Sequence, residues 1–216
     1  MTPDSSDITV LGIGNVLWAD EGFGVRCVEA LQQRYTFEPP IQLIDGGTQG
    51  LYLIQFVQSA QKLLIFDAID YGLAPGTLKV IRNDDVPRFM GAKKMSLHQT
   101  GFQEVLQLAQ LTGHFPHDLV LLGCQPQELE DYGGSLRPVV KQSLEVALGM
   151  AVQWLREQGI TVTPREAAPS GQEAVTVPTL SMTAYESGRP GEVDACRVGD
   201  ERFLMTALPG QPGSGA

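Results

Sequence analysis

Short apolar runs alternate with helix-like patterns along most of this chain, and this alternation restricts the fold more than any other feature. The run Leu63–Phe66 is apolar throughout, as in a strand that is covered on both faces. Strand-like runs occupy Ile8–Ile13, Ile41–Ile44, Leu63–Phe66, Leu78–Ile81 and Leu119–Leu122. Helix-like patterns occupy Gly22–Tyr35, a segment that opens at Leu51–Val57, Leu97–Leu111 and Leu136–Gln158. This order predicts a mostly parallel sheet with helices on both of its faces.

One connection departs from the parallel pattern. The segment Asp70–Thr77, between the third and fourth strands, is too short for a helical crossover, which takes about a dozen residues or more. The fourth strand should therefore run antiparallel to the third. We predict an α/β fold, namely a three-layer α/β/α sandwich around a mixed, mostly parallel five-stranded sheet.

The composition of the chain changes near Gly159. Residues 161–216 are rich in glycine and proline and show no sustained hydrophobic period, which is typical of an extension rather than of a second domain. We predict a folded domain over residues 1–160 and a C-terminal extension over residues 161–216 that is partly ordered at best.

Charge and cysteine content exclude several classes of protein. The chain carries a net charge of −10, which disfavours nucleic acid and anionic membranes as partners. Its three scattered cysteines are too few for a disulfide framework or a structural zinc site. The first residues, MTPDSSDITV, show no basic region followed by an apolar run, and no apolar stretch is long enough to span a membrane. We expect a cytoplasmic protein that binds neither nucleic acid nor membranes.

Acidic residues and one histidine fall near the carboxyl ends of the predicted strands, where open α/β sheets bind ligands. Asp20 and Glu21 follow the first strand, and Asp45 follows the second. Asp67 follows the third strand, and His98 lies at the start of the third helix. Glu21, Asp67 and His98 together offer two carboxylates and one imidazole. This combination suits a divalent first-row metal such as nickel, iron, manganese or zinc.

Each of these three residues also has a purely structural explanation. Glu21 at the start of a helix would interact favourably with the helix dipole, and His98 could be a satisfied structural histidine. Asp67 could cap a turn. Because it follows an apolar strand, however, its carboxylate needs a partner, a metal or a shifted pKa.

Two rival chemistries fit the sequence less well. Gly12 and Gly14 begin a dinucleotide-binding pattern, but Leu17 stands where the third glycine belongs. Cys124 follows the fifth strand and could pair with His98 as a nucleophile, although a small buried apolar cysteine is the simpler explanation.

Six motifs follow one another in the first three quarters of the chain. They are GIGNVLWADEGFGVR, DGGTQG, LLIFDAIDYGLAPGTL, KKMSLHQTGF, LGCQPQ and DYGGSLRP. Together they resemble the nickel–iron hydrogenase maturation endopeptidases, most closely the branch that serves uptake hydrogenases. The resemblance covers residues 7–158 and does not reach the extension.

The resemblance implies an enzyme that cuts once near the C-terminus of a hydrogenase large-subunit precursor, after nickel insertion. By motif position, Glu21, Asp67 and His98 match the residues of that family that contact the metal. Asp45 matches an acidic residue implicated in recognition or cleavage, so the implied catalytic residues are Asp67 and Asp45. The nickel would come with the substrate, and the chain would act as a monomer.

The chemistry of cleavage stays open at this point. Asp67 could act as a general base on water, or nickel could polarise the scissile carbonyl or supply hydroxide. Such enzymes are often classed as aspartic-type peptidases, yet this chain lacks two D-T/S-G copies. A non-catalytic nickel-sensing chaperone of the large subunit would use the same residues. The extension would dock that partner.

Overall fold

The computed structural model of the chain describes residues 7–92, 97–167, 169 and 174–189. The strands are β1 Ile8–Ile13, β2 Tyr35–Glu38, β3 Gln42–Gly47, β4 Lys62–Ala68, β5 Leu78–Arg82, β6 Asp118–Cys124 and β7 Thr161–Pro164. The helices are α1 Phe23–Arg34, α2 Ile54–Ser59, α3 Asp85–Ala92, α4 Leu97–Leu111, α5 Pro138–Glu157 and α6 Met182–Gly188. Short 3-10 turns occupy Ala19–Gly22, Gly50–Leu53 and Pro178–Leu180.

Five strands form the central sheet in the order β3-β1-β4-β6-β5. The pairs β1–β3, β1–β4 and β4–β6 are parallel, whereas β5 pairs antiparallel with β6. The short connection after β4 is therefore followed by a strand, β5, that runs antiparallel to β4, as the sequence predicts. The mixed, mostly parallel five-stranded sheet of the α/β sandwich is confirmed.

The two faces of the sheet have separate hydrophobic cores. Alternate side chains of β4, such as Leu64 and Phe66, pack with α1 and α5, and we call this side the α1 face. The intervening side chains, such as Leu63 and Ile65, pack with α2 and α4 on the opposite side, the α4 face. These alternating contacts show which side of the sheet a strand residue occupies.

A two-stranded antiparallel ribbon, β2–β7, was not anticipated by the sequence patterns. Helix α1 ends at Arg34, and Tyr35 already belongs to β2, where it pairs with Pro164. Strand β7 thus attaches the first residues after position 160 to the domain. The boundary at residue 160 stays a prediction.

Across the described ranges, no helix combines the length and the apolar character needed to cross a membrane. The longest helix, α5, has one buried side that includes Leu144, Leu148 and Leu155. Its other side is partly exposed, as the exposed Val146 shows.

Helix α1 starts directly against the sheet because Gly24 has no side chain. A Cβ atom built on Gly24 would lie 2.2 Å from the carbonyl oxygen of Phe66 and 2.3 Å from that of Ile13. Both oxygens belong to buried strands, which cannot move aside without disturbing the sheet. This close approach fixes the start of α1 at the carboxyl ends of β1 and β4.

We predict that Gly24→Ala lowers the free energy of unfolding by about 3 kcal/mol or more, because the methyl group overpacks against backbone. Gly149→Ala is the matched control. Gly149 is exposed in α5 and has nothing within 4 Å of an added Cβ, so this change should stabilise the protein by about 0.5–1 kcal/mol. Urea unfolding followed by circular dichroism measures both variants. A Gly24→Ala variant as stable as the wild type would contradict the proposed close approach.

Candidate functional site at the carboxyl edge of the sheet

Glu21 lies in the 3-10 turn that connects β1 to α1. The turn packs tightly on the preceding loop, since a Cβ on Gly14 would lie 1.8 Å from the carbonyl oxygen of Glu21. Gly14 also has a φ of 131°, a conformation that side chains rarely allow. Burial raises the pKa of the Glu21 carboxyl above its ordinary value. Burying the charged carboxylate costs free energy, and a neighbouring cation would offset that cost.

Asp67 is a fully buried carboxylate within β4, the central strand of the sheet. It alternates with Phe66 and so takes the α4 face, together with Ile65. Its partner on β6 is Gly123, and the hydroxyl of Tyr71 lies over that glycine. Burial raises the pKa of the Tyr71 hydroxyl, and the charge of Asp67 adds to the effect. Asp67 is therefore a fully buried strand residue rather than a turn cap.

Asp45 lies at the end of β3 on the α1 face. One carboxylate oxygen accepts a hydrogen bond from the Gly47 amide at 3.0 Å, and the other lies 3.4 Å from Thr176 Oγ1. Burial raises the pKa of Asp45, with Arg26 and Glu29 of α1 acting in opposite directions. Asp45 is held by its own loop on one side and by the C-terminal extension on the other.

Asp45 and Asp67 do not form a pair. Gly12 of β1 stands between their strands, opposite Asp45 on one side and Phe66 on the other. Two strand spacings amount to roughly 10 Å, and the two side chains take opposite faces of the sheet. A single proton cannot be shared between the two carboxylates.

His98 is the second residue of α4, and its side chain lies outside the described residues. The helix passes the carboxyl end of β3, where a Cβ on Gly101 would lie 3.5 Å from the Cα atom of Gly50. The first turn of α4 is thus at the same edge and on the same face as Asp67. Among the described side chains, no group of three or more His, Cys, Asp or Glu could hold a metal ion. The set Glu21, Asp67 and His98 stays a prediction.

Cys124 does not serve as a nucleophile paired with His98. Its side chain is buried on the α1 face, whereas α4 covers the opposite face. Burial raises the pKa of the Cys124 thiol to about 12, so it stays protonated near neutral pH. Its role as a small buried apolar residue is confirmed.

Asp20 is a structural residue whose role sequence reasoning did not find. It is fully buried, and one carboxylate oxygen accepts from the amides of Gln127 and Glu128 at 2.8 and 2.9 Å. The other oxygen accepts from the Arg137 amide at 2.6 Å. One carboxylate therefore ties the turn before α1 to the loop between β6 and α5. Adjacent acidic residues carry no sequence signal that tells the buried one from the half-buried one.

Gln125, within the LGCQPQ motif, is a second residue that fixes a loop at this edge of the sheet. Its Oε1 atom accepts from the amides of Tyr71 at 2.7 Å and Leu73 at 3.1 Å. Its Nε2 atom donates to Asp70 Oδ1 at 3.0 Å. The loop that follows Asp67 is fixed in this way, although the sequence gives only a polar residue after a buried strand.

Comparison with known proteins identifies the family. The family model for hydrogenase maturation proteases (HycI) matches residues 25–154. The hydrogenase expression/formation protein HoxM of Cupriavidus necator is 64% identical over 201 residues, which are 93% of this chain and 100% of HoxM. The hydrogenase 2 maturation protease of Escherichia coli is 43% identical over 161 residues, 74% of this chain and 97% of that protein.

A solved structure has the same fold. The hydrogenase maturating endopeptidase HybD from E. coli superposes with a TM-score of 0.69 at 42% identity, covering 73% of this chain and 97% of HybD. The α/β sandwich is thus that of a protease. The chain belongs to the hydrogenase maturation protease family, in the uptake-hydrogenase branch that its motifs indicate.

We predict that Asp20→Asn lowers the free energy of unfolding by about 2–4 kcal/mol, because an amide nitrogen would face buried N–H donors. Asp84→Asn makes the same change at an exposed position and should leave stability within about 0.5 kcal/mol of the wild type. Chemical denaturation at neutral pH compares the two. If both variants unfold together with the wild type, Asp20 does not hold the two loops.

Proposed function

We propose that this protein is the endopeptidase that removes the C-terminal peptide of a nickel–iron hydrogenase large-subunit precursor after nickel insertion. The nickel belongs to the substrate and is recognised through Glu21, Asp67 and His98. The protein acts as a monomer in the cytoplasm. One observation carries the proposal, which is the fully buried Asp67 carboxylate at the carboxyl end of the central strand of a protease fold.

The electrostatics of this edge support recognition of the precursor through its metal. The Asp67 carboxylate is buried, and burial already raises the pKa of the neighbouring acid Glu21. A divalent cation delivered by the substrate reduces the cost of both charges. A precursor without nickel offers no such compensation, so binding depends on completed metal insertion.

We propose that Asp67 also transfers the proton in hydrolysis. It accepts a proton from water as the water oxygen attacks the scissile carbonyl, and a proton passes to the leaving amine as the C–N bond breaks. The substrate's nickel polarises the same carbonyl. The enzyme is then an aspartic-type peptidase with one reacting carboxylate.

Asp45 has a different role, because it lies two strands away on the opposite face. In aspartic proteases with two reacting carboxylates, the two groups are about 3 Å apart and share a proton. The carboxylates of Asp45 and Asp67 are too far apart for this. Asp45 recognises the segment of the precursor next to the cleavage site.

We predict that the protein shortens a nickel-loaded large-subunit precursor and leaves a nickel-free precursor intact. Nickel-free precursor lacks the cation that Glu21 and Asp67 recognise. Mass spectrometry of the large subunit after incubation measures the result. An unchanged mass with nickel-loaded precursor would leave a nickel-sensing chaperone as the function. Equal cleavage of both precursors would show that nickel is not required for recognition.

We further predict that Asp67→Ala lowers the cleavage rate by about 100-fold or more, because both metal recognition and proton transfer are lost. Its stability should change little, since the cost of burying the Asp67 charge is removed together with its contacts. Asp84→Ala, at an exposed position after β5, is the matched control and should cleave like the wild type. Normal cleavage by Asp67→Ala would show that the assigned site is wrong.

A further inference from the structure

Residues 174–189 of the C-terminal extension lie against α1 and reach Asp45. This segment contains the 3-10 turn Pro178–Leu180 and helix α6, and we call it the strap. It lies outside the part of the chain on which the fold prediction rests.

A buried ion pair on α1 holds the middle of the strap. Arg26 Nη1 donates to Glu29 Oε2 at 2.8 Å and to the carbonyl oxygen of Leu180 at 2.6 Å. Glu29 Oε1 accepts from the Met182 amide at 2.9 Å, and Arg26 lies 5.5 Å from the ring centroid of Tyr185. Only 3% of Arg26 and 5% of Glu29 is exposed. Charged residues are rarely buried unless they are paired, so this side of α1 is built to be covered by the strap.

Further contacts fix the strap on either side of the ion pair. Gln32 Oε1 accepts from the Val175 amide at 2.7 Å. Glu186 accepts from Ser135 Oγ and forms a salt bridge with Lys141. The strap is therefore docked along its length, and its position relative to α1 is defined.

This docking places Thr176 on the carboxylate of Asp45. Thr176 is 5% exposed, and its Oγ1 atom lies 3.4 Å from Asp45 Oδ2. The other groups that face Asp45 are the Gly47 amide and, from α1, Arg26 and Glu29. Asp45 thus takes one of its contacts from the extension.

Relatives in the family differ in whether they have a counterpart of the C-terminal extension. The E. coli hydrogenase 2 maturation protease is matched over 97% of its length by 161 residues, which leaves no room for a comparable extension. HoxM of C. necator aligns over 201 residues and so must align with residues beyond position 160. The strap is therefore a feature in which members of one family differ.

We infer that Thr176 is a positioning residue for Asp45, and that the strap is a working part of the recognition loop. The inference rests on the proposed function, in which Asp45 contacts the precursor next to the cleavage site. The hydroxyl orients the carboxylate and favours its charged form, as donors to a carboxylate do. At 3.4 Å the contact is long for a hydroxyl–carboxylate bond, so we expect its loss to change stability by no more than the small shift in the pKa of Asp45 implies.

Three variants of the full chain test the inference. Thr176→Val removes the hydroxyl at nearly constant volume, and Thr176→Ser retains it. Thr183→Val makes the same change at an exposed position of the strap. Two quantities are measured for each variant, the NMR titration of the Asp45 carboxyl and the pH dependence of precursor cleavage.

We expect the pKa of Asp45 to rise in Thr176→Val, since a group that favours the charged form is lost. The acid side of the cleavage profile should move to higher pH, and kcat/KM there should fall about three- to ten-fold. Thr176→Ser should restore the wild-type titration, and Thr183→Val should not alter it.

An Asp45 titration that is the same in Thr176→Val and wild type, with unchanged cleavage, would overturn the inference and leave the proposed function intact. A wild-type protein that cleaves no precursor would overturn the proposed function instead. The NMR titration would still decide whether Thr176 controls Asp45, because it needs no substrate.

Discussion

The contact of Gly24 with the backbones of β1 and β4 is the constraint on which the site depends. No side chain fits between α1 and the carbonyl oxygens of Phe66 and Ile13, so the helix begins where the strands end. The turn that precedes α1 is consequently held at the carboxyl edge of the sheet. There Asp20 secures the opposite loop through three backbone amides, and Glu21 is held in the same turn.

In the proposed function, the sheet separates hydrolysis on one face from recognition of the precursor on the other. Asp67 and the first turn of α4 share one face, where the proposed reaction takes place. Asp45 takes the other face, where α1 and the strap surround it. Processing of a precursor requires both recognition and hydrolysis. Because Asp45 and Asp67 lie on opposite faces, the two carboxylates have different environments at the same edge of the sheet.

The sheet could be predicted because its strands coincide with apolar runs. The antiparallel direction of β5 could be predicted because the segment Asp70–Thr77 is short. The ribbon could not, because the helical pattern of the sequence extends to Tyr35, the first residue of β2, and Thr161–Pro164 lies where the composition already changes. The structural role of Asp20 was equally hidden. It arises from backbone donors more than 100 residues away, which no local pattern reveals.

The central claim is that carboxylates at the sheet edge contact the nickel of the substrate. X-ray absorption at the nickel edge tests this directly, on nickel-loaded precursor alone and in complex with the protein. We predict additional oxygen or nitrogen ligands on nickel in the complex, with at least one of them lost when Asp67→Ala is used. A nickel coordination sphere that does not change when the complex forms would contradict the claim.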